Sequence, residues 1–251
     1  MGTIVEAFQN VVDSFADAVF TAVIKDDRYM HLIDGLVMSI LLTAIAAVIG
    51  VVIGVLLAIA KLQDVDNLSG SRFMNGVRRW IAGFANGYIS VVRGTPAVVQ
   101  LMVIYFIVFG RVFQGVPLQG YQIAALAFGI NSGAYVAEII RAGILAVDKG
   151  QTEASRSLGL SGGSTMLYIV IPQAIKNVLP AMGNEFIALL KETSVAGYIG
   201  IADLTKGAQN IGAVTYDYIV PLLCAAYVYF LMTTTMATGL GALERRLRKG
   251  D

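Results

Sequence analysis

The sequence predicts an all-α, polytopic membrane protein with about five transmembrane helices, its N-terminus outside and its C-terminus in the cytoplasm. Three observations carry this. Only 14% of the 251 residues are charged and mean hydropathy is +0.72, where an ordinary soluble domain carries about a quarter charged residues. The charges are also bunched: residues 35–60, 94–110, 112–137, 157–175 and 218–243 hold none, and ~20 apolar residues cross ~30 Å of hydrocarbon. Finally, five spans put the termini on opposite sides. With the C-terminus inside, twelve lysines and arginines, Arg93 among them, face the cytoplasm, against Lys25, Arg28, Arg111, Lys191 and Lys206 outside. The positive-inside rule selects that orientation.

Residues 1–34 form an N-terminal extracytoplasmic segment. Ile4, Phe8, Val11, Phe15, Val19 and Val23 recur at helical spacing opposite Glu6, Asp13 and Asp17, the pattern of an amphipathic helix on a membrane face or against the bundle. A basic leader is lacking, so this stretch does not read as a cleaved signal peptide. Span one covers residues 36–62, and its Gly50 and Gly54 permit close helix packing. Residues 61–93 read as a basic cytoplasmic connection with an amphipathic helix over 73–88. Arg93-Gly94-Thr95-Pro96 then reads as an interfacial turn and helix start, with Pro96 in the first turn of span two, residues 95–113.

Span three, residues 121–142, places Asn131, Tyr135 and Glu138 on one face. Gly129, Ser132 and Gly133 sit near its middle, where irregular backbone would expose hydrogen-bonding groups. Span four, residues 168–190, contains Pro172 and Pro180 as candidate kinks. It also aligns Gln173, Asn177, Asn184 and Lys191 in one stripe. Residues 191–217 are too polar and glycine-containing to cross lipid alone. Span five, residues 218–243, leads to the basic tail, residues 245–251. Polar groups inside a bilayer are costly and often functional. Gln100, Asn131, Ser132, Tyr135, Glu138 and Asn184 are therefore the candidate substrate path, with interhelical hydrogen bonding as the plainer role for each. Glu138 and Arg141, three residues apart, are spaced to pair.

Several functions are excluded. A formal charge of +1 gives no case for nucleic acid. One cysteine, Cys224, and one histidine, His31, supply neither a disulfide framework nor a metal cluster. No Gly-x-x-x-x-Gly-Lys-Ser/Thr loop occurs, so the chain has no nucleotide loop of its own.

The stretch from Glu153 to Pro172 is the most specific in the chain. Glu153-Ala154-Ser155 is followed by three residues and Gly159, then nine residues and Ile169, one residue, and Ile171-Pro172. Thr152 is the expected N-cap, with Glu153 in the first turn. Gly159 is the expected helix stop, and Ser161-Gly162-Gly163-Ser164 the cap of a second short helix. This resembles the E-A-A loop of the integral membrane subunits of ATP-binding-cassette importers, with Ser155 for the second alanine and Ile171 for leucine.

Arg93-Gly94-Thr95-Pro96, Asn131-Ser132-Gly133-Ala134-Tyr135, Asn184-Glu185-Phe186 and Lys191-Glu192-Thr193-Ser194 are similar to the polar amino acid (histidine, glutamine and arginine) branch of these permeases. The likeness covers about residues 25–249, with residues 35–244 as the type 1 permease domain. It implies a non-catalytic subunit of the bacterial cytoplasmic membrane, with no metal or cofactor of its own. ATP and magnesium would be bound by a partner ATPase that docks on Glu153, Ala154, Ser155, Leu158 and Gly159. An extracytoplasmic amino-acid-binding protein and a second permease chain, identical or paralogous, complete the implied assembly in the lipid bilayer. The alternative is an ion-coupled secondary transporter, which should show internal repeats; none is evident.

Overall fold

The computed structural model describes residues 2–62 and 72–248, and no strand occurs among them. The side chains of Ile4, Phe8 and Val11, and Lys249 of the basic tail, lie outside the described residues.

Helix α1 (Gly2–Val19) continues through a π-helical turn, Phe20–Ile24, into a sharp reversal. Asp26 and Asp27 there have φ of 58° and 56°, a left-handed conformation that aspartate tolerates better than most residues. Helix α2 (Tyr29–Leu62) follows. Its 34 residues rise about 50 Å, well beyond the hydrocarbon thickness. Val37, Val48, Val52, Leu56 and Ile59 stay exposed along it, as a lipid-facing stripe should.

The bundle is built around α5 (Gly120–Leu145), whose apolar window is 67% buried, against 28% for α2 and 17% for α10 (Ile219–Arg248). Small residues lock α2 and α5 together. A Cβ on Gly50 would meet the Ser132 side chain at 3.0 Å, and one on Gly54 would meet Val136 at 2.5 Å. Reciprocally, Gly129 faces Ile49 at 2.6 Å and Gly133 faces Ile53 at 2.6 Å. The close contact expected of Gly50 and Gly54 is present. The irregular backbone expected near Gly129 and Gly133 is not: α5 is helical throughout, and both glycines are buried in this packing seam. Missing Cβ atoms serve here to bring backbones together.

The connection after α2 also differs from expectation. Helix α3 (Arg72–Arg93) is longer than the amphipathic stretch predicted, and it turns by 107° into α4 (Ala97–Met102) and the π-helical run Val103–Val112. Pro96 is the N-cap of α4, one residue before its first turn. Ile89 and Val92 of α3 pack with Ala134 and Ala137 of α5, and the Tyr88 hydroxyl donates to the Ile130 carbonyl at 2.6 Å. The elbow therefore lies beside the middle of α5. Arg93-Gly94-Thr95-Pro96, expected as a turn and helix start, is a sharp break set against the middle of α5. Polar side chains can fold it inward because they satisfy the freed backbone groups there.

After α5 come α6 (Lys149–Ser157), α7 (Gly162–Thr165), a π turn over Met166–Val170, and α8 (Ile171–Glu192). Pro172 lies in the first turn of α8. Proline lacks an N–H and crowds the carbonyl four residues back, and the wide turn before it accommodates both. Pro180 is internal.

Residues 191–217 are more ordered than expected. A 3-10 turn, Thr193–Ile199, leads to α9 (Leu204–Thr215), capped by the buried Asp203. Helix α9 docks on the start of α2: a Cβ on Gly207 would strike the His31 carbonyl at 2.2 Å, and one on Gly35 the Asp203 carbonyl at 2.5 Å. The Leu204 amide donates to Ser39 Oγ at 3.1 Å.

Among the described residues, three helices are long and apolar enough to cross a membrane: Tyr29–Lys61, Gly120–Leu145 and Ile219–Leu247. The bent pair Met74–Arg93 with Ala97–Val112 makes a fourth if counted as one broken span. Helix α8, expected as a span, is not in that set. Gln173, Lys176, Asn177, Asn184 and Glu185 lower its hydropathy.

Candidate functional site

Two groups of side chains stand out, one at the mid-depth elbow and one on the α6–α7 turn.

Gln100 ties the elbow. Its Nε2 donates to the Val92 carbonyl (2.7 Å), the Thr95 carbonyl (3.1 Å) and Thr95 Oγ1 (2.7 Å). Its Oε1 accepts from Asn131 Nδ2 of α5 at 3.0 Å. Thr95 Oγ1 donates to the Val91 carbonyl at 2.9 Å. Every polar atom of the Gln100 amide is thus occupied, in keeping with the cost of leaving such groups unpaired. Gln100 and Asn131 hold α3, α4 and α5 in register.

Next to them, the Arg93 guanidinium sits 5.3 Å from the centroid of the Tyr135 ring, within cation–π range. Ser132 Oγ donates to Glu185 Oε1 of α8 at 2.8 Å. Glu185 is partly buried and Arg93 is exposed. A guanidinium and a carboxylate from different helices thus share one polar wall, with hydroxyl and phenol groups between them.

Of the sequence-predicted path residues, Gln100, Asn131, Ser132 and Tyr135 come together here. Asn184 is on α8 beside Glu185 in sequence, and is exposed. Glu138 is elsewhere. It lies two turns further along α5 and bonds Lys61 Nζ of α2 through Oε1 and Arg141 through Oε2, at 2.5 and 2.8 Å. The Glu138–Arg141 pair matches the spacing argument; Lys61 is an addition. Sequence reasoning placed Arg93 at the interface and omitted Glu185 from the path. The available signal for Glu185 was its position as a lone carboxylate within a predicted span, the kind of residue that bilayers tolerate only for a reason.

The second group is the α6–α7 turn. Asp148, not Thr152, is the N-cap of α6: its Oδ1 accepts from the Gly150 amide at 2.6 Å. Aspartate at this position also complements the helix dipole, so α6 begins four residues before the expected first turn. Glu153 consequently falls in mid-helix and is exposed. Gly159 stops the helix with φ of 86°, and Ser161 caps α7 through the Ser164 amide at 3.1 Å, both as expected.

Ser155 is the buried residue of α6. Its Oγ donates to the Thr152 carbonyl (2.9 Å) and lies 3.1 Å from Thr165 Oγ1. Arg156 closes the turn onto the Leu160 carbonyl at 3.0 Å. Against this braced interior, Glu153 and Ala154 are outward, and Leu158 is 82% exposed. A large apolar side chain at the tip of a polar turn suits a protein contact better than water.

Residues 50–249 match the family described as binding-protein-dependent transport system inner membrane components. The chain is similar to the arginine transport system permease protein ArtQ of Bacillus subtilis (strain 168), 44% identical over 68% of this chain and 76% of that protein. It is also similar to the putative glutamine transport system permease protein GlnP of Rickettsia bellii (strain RML369-C), 36% identical over 88% of this chain and 94% of that one. Among solved structures it resembles a chain of an amino acid ABC transporter crystallised with histidines. That chain has a TM-score of 0.76 and 45% identity, covering 87% of this chain and 94% of that one.

Proposed function

Because this chain belongs to the binding-protein-dependent transport system inner membrane components, and is the permease of an amino acid ABC transporter, we propose that it imports a polar amino acid across the bacterial cytoplasmic membrane. The observation that carries this is the wall formed by Arg93, Tyr135, Ser132 and Glu185 beside a broken helix. A zwitterion needs a cation for its carboxylate and an acceptor for its ammonium, and Arg93 and Glu185 supply one of each. Discontinuous helices at mid-depth are a recurrent way to build such sites. Gln100 and Asn131 position the elbow, and Asn184 lines the approach from α8.

A second permease chain, identical or paralogous, would face this wall and close the pore. Helix α8 completes five spans, N-terminus out and C-terminus in, packed against α5 and α10. Its polar stripe is tolerated because it faces the path and not lipid. On the cytoplasmic side the α6–α7 turn docks on a separate ATPase, which binds ATP and magnesium, through Glu153, Ala154 and Leu158. Ser155 and Gly159 set the shape of that turn. An extracytoplasmic binding protein delivers the amino acid.

The test is ATP hydrolysis in proteoliposomes holding this chain, its ATPase and the binding protein. Amino-acid-loaded binding protein should stimulate hydrolysis, and Glu153→Arg should abolish that stimulation. Hydrolysis indifferent to both would overturn the coupling assignment.

A further inference from the structure

At the end of the bundle opposite the α6–α7 turn, the π turn after α1 meets the α9–α10 junction around a cavity of about 240 Å³. It is lined by Ala18, Thr21, Ala22, Lys25, Arg28, Thr215 and Asp217. The transport reading assigns it nothing.

Its charges are arranged with care. Arg28 is held in place by its own neighbours, with one nitrogen 2.6 Å from Asp26 and another donating to the Thr21 carbonyl at 3.0 Å. Its charge is therefore met locally. The left-handed Asp26 and Asp27 create the reversal that makes this possible, and such backbone strain persists only where surroundings impose it. Lys25 is exposed and makes no ion pair among the described residues. Asp217 caps α10, its Oδ1 accepting from the Ile219 amide at 2.9 Å, which leaves its other oxygen for a ligand. The cavity thus presents one uncommitted cation and one available carboxylate, with Arg28 N–H groups between threonines.

The rim is apolar. Phe20, Ile24, Tyr216 and Tyr218 are exposed, Tyr216 at 93%, and each is next to a cavity residue in sequence; Ile219, also exposed, is two residues from Asp217. Aromatic and aliphatic side chains gathered at one end of a transmembrane bundle mark the headgroup level of a bilayer. The preceding helix α1 is amphipathic, as interfacial helices are.

We propose that this cavity binds the phosphoethanolamine headgroup of a glycerophospholipid. Lys25 and Arg28 meet the phosphate, Asp217 meets the ammonium, and the acyl chains run over the exposed Phe20, Ile24 and Ile219. One cation and one anion fit a zwitterionic headgroup better than phosphatidylglycerol, whose hydroxyls can donate to Asp217 but bring it no countercharge. The N–H groups of ethanolamine fit Asp217 better than the methylated nitrogen of phosphatidylcholine. The inference is independent of which amino acid is carried.

The experiment is native mass spectrometry of the detergent-purified permease–ATPase complex, stripped of lipid and titrated with phosphatidylethanolamine, phosphatidylglycerol or phosphatidylcholine. Phosphatidylethanolamine should bind about tenfold more tightly than the other two, the scale of one close charge contact. Lys25→Glu should lower its occupancy by a similar factor. Asp217→Asn, which retains a capping oxygen, should bring ethanolamine and glycerol headgroups level. Melting of both variants in lipid-free detergent, unchanged from wild type, checks the fold. Equal retention of all three lipids by the wild-type protein would overturn the proposal, as would indifference to Lys25→Glu. Displacement of phosphatidylethanolamine by a free amino acid would overturn it too, assigning the cavity to a soluble zwitterion.

Discussion

Ser132 and Glu185 join the middle of α5 to α8 by a 2.8 Å hydrogen bond. The same two helices are joined in sequence by the α6–α7 turn, so one covalent link and one polar link bracket the half of the pair nearest that turn. If Glu185 holds the ammonium of the cargo, removing its charge should affect transport more than removing the hydroxyl that orients it. Glu185→Gln is expected to lower uptake into proteoliposomes by tenfold or more, which corresponds to about 1.4 kcal/mol. Ser132→Ala should cost less. Equal uptake by wild type and Glu185→Gln, at equal membrane levels, would remove Glu185 from the path.

The α2–α5 seam predicts a second result. Gly133→Val inserts atoms where Ile53 already lies 2.6 Å from the added Cβ, and overpacking of this kind costs typically 1–3 kcal/mol. Gly239 on α10 has nothing within 4 Å, so Gly239→Ala is the control. Thermal melting in detergent should fall for the first variant and hold for the second. A Gly133→Val protein that melts like wild type would mean that the two helices do not pack this closely.

Glu138 is shared by two cations while each cation has Glu138 as its ion-pair partner. Glu138→Ala therefore strands both Lys61 and Arg141, whereas Lys61→Ala leaves Glu138 with Arg141. Breaking a buried pair by removing one partner costs roughly 3–5 kcal/mol, and the partial exposure here places the Glu138 loss toward or below the lower end. Melting should rank wild type above Lys61→Ala, and Lys61→Ala above Glu138→Ala. The reverse order would show that the triad is held by other contacts.

On the α6–α7 turn, interior and exterior should separate. Ser155→Ala removes a hydroxyl bonded to Thr152 and close to Thr165, a loss of about 1 kcal/mol for a typical hydrogen bond. It should loosen the turn without preventing ATPase binding. Leu158→Asp leaves that interior untouched and should abolish co-purification of the ATPase. Co-purification that survives Leu158→Asp would place the docking contact elsewhere.

Much of this was legible in the chain, and the failures have physical causes. Charge-free runs located α2, α5 and α10 because lipid demands uninterrupted apolar length. Gly159 and Ser161 were readable because helix ends are decided by local chemistry. The start of α6 was misread because Asp148 and Thr152 are both competent caps, and only the tertiary position of the chain leaving α5 selects the former. Gly129 and Gly133 carried an ambiguity that no single sequence resolves: a missing Cβ permits either a break or a close approach. The Ile49 and Ile53 side chains opposite decide for approach. Arg93 was placed by the expectation that arginines mark interfaces. Its depth is set by the packing of Ile89 and Val92 against α5, long-range contacts that local pattern does not encode.

The interlocked glycines of α2 and α5 bear on how the protein moves. Two helices whose backbones interdigitate along Gly50, Gly54, Gly129 and Gly133 cannot slide past one another without forcing Ile49, Ile53 and Val136 out of their recesses. They behave as a single stiff plank. From Ser132 to Leu145 that plank extends about 20 Å at 1.5 Å per residue, and α6 begins four residues beyond Leu145. A tilt imposed at the α6 end therefore reaches the level of Ser132 undiminished, and the place for yielding is where the plank meets α8, at the seam closed by Ser132 and Glu185.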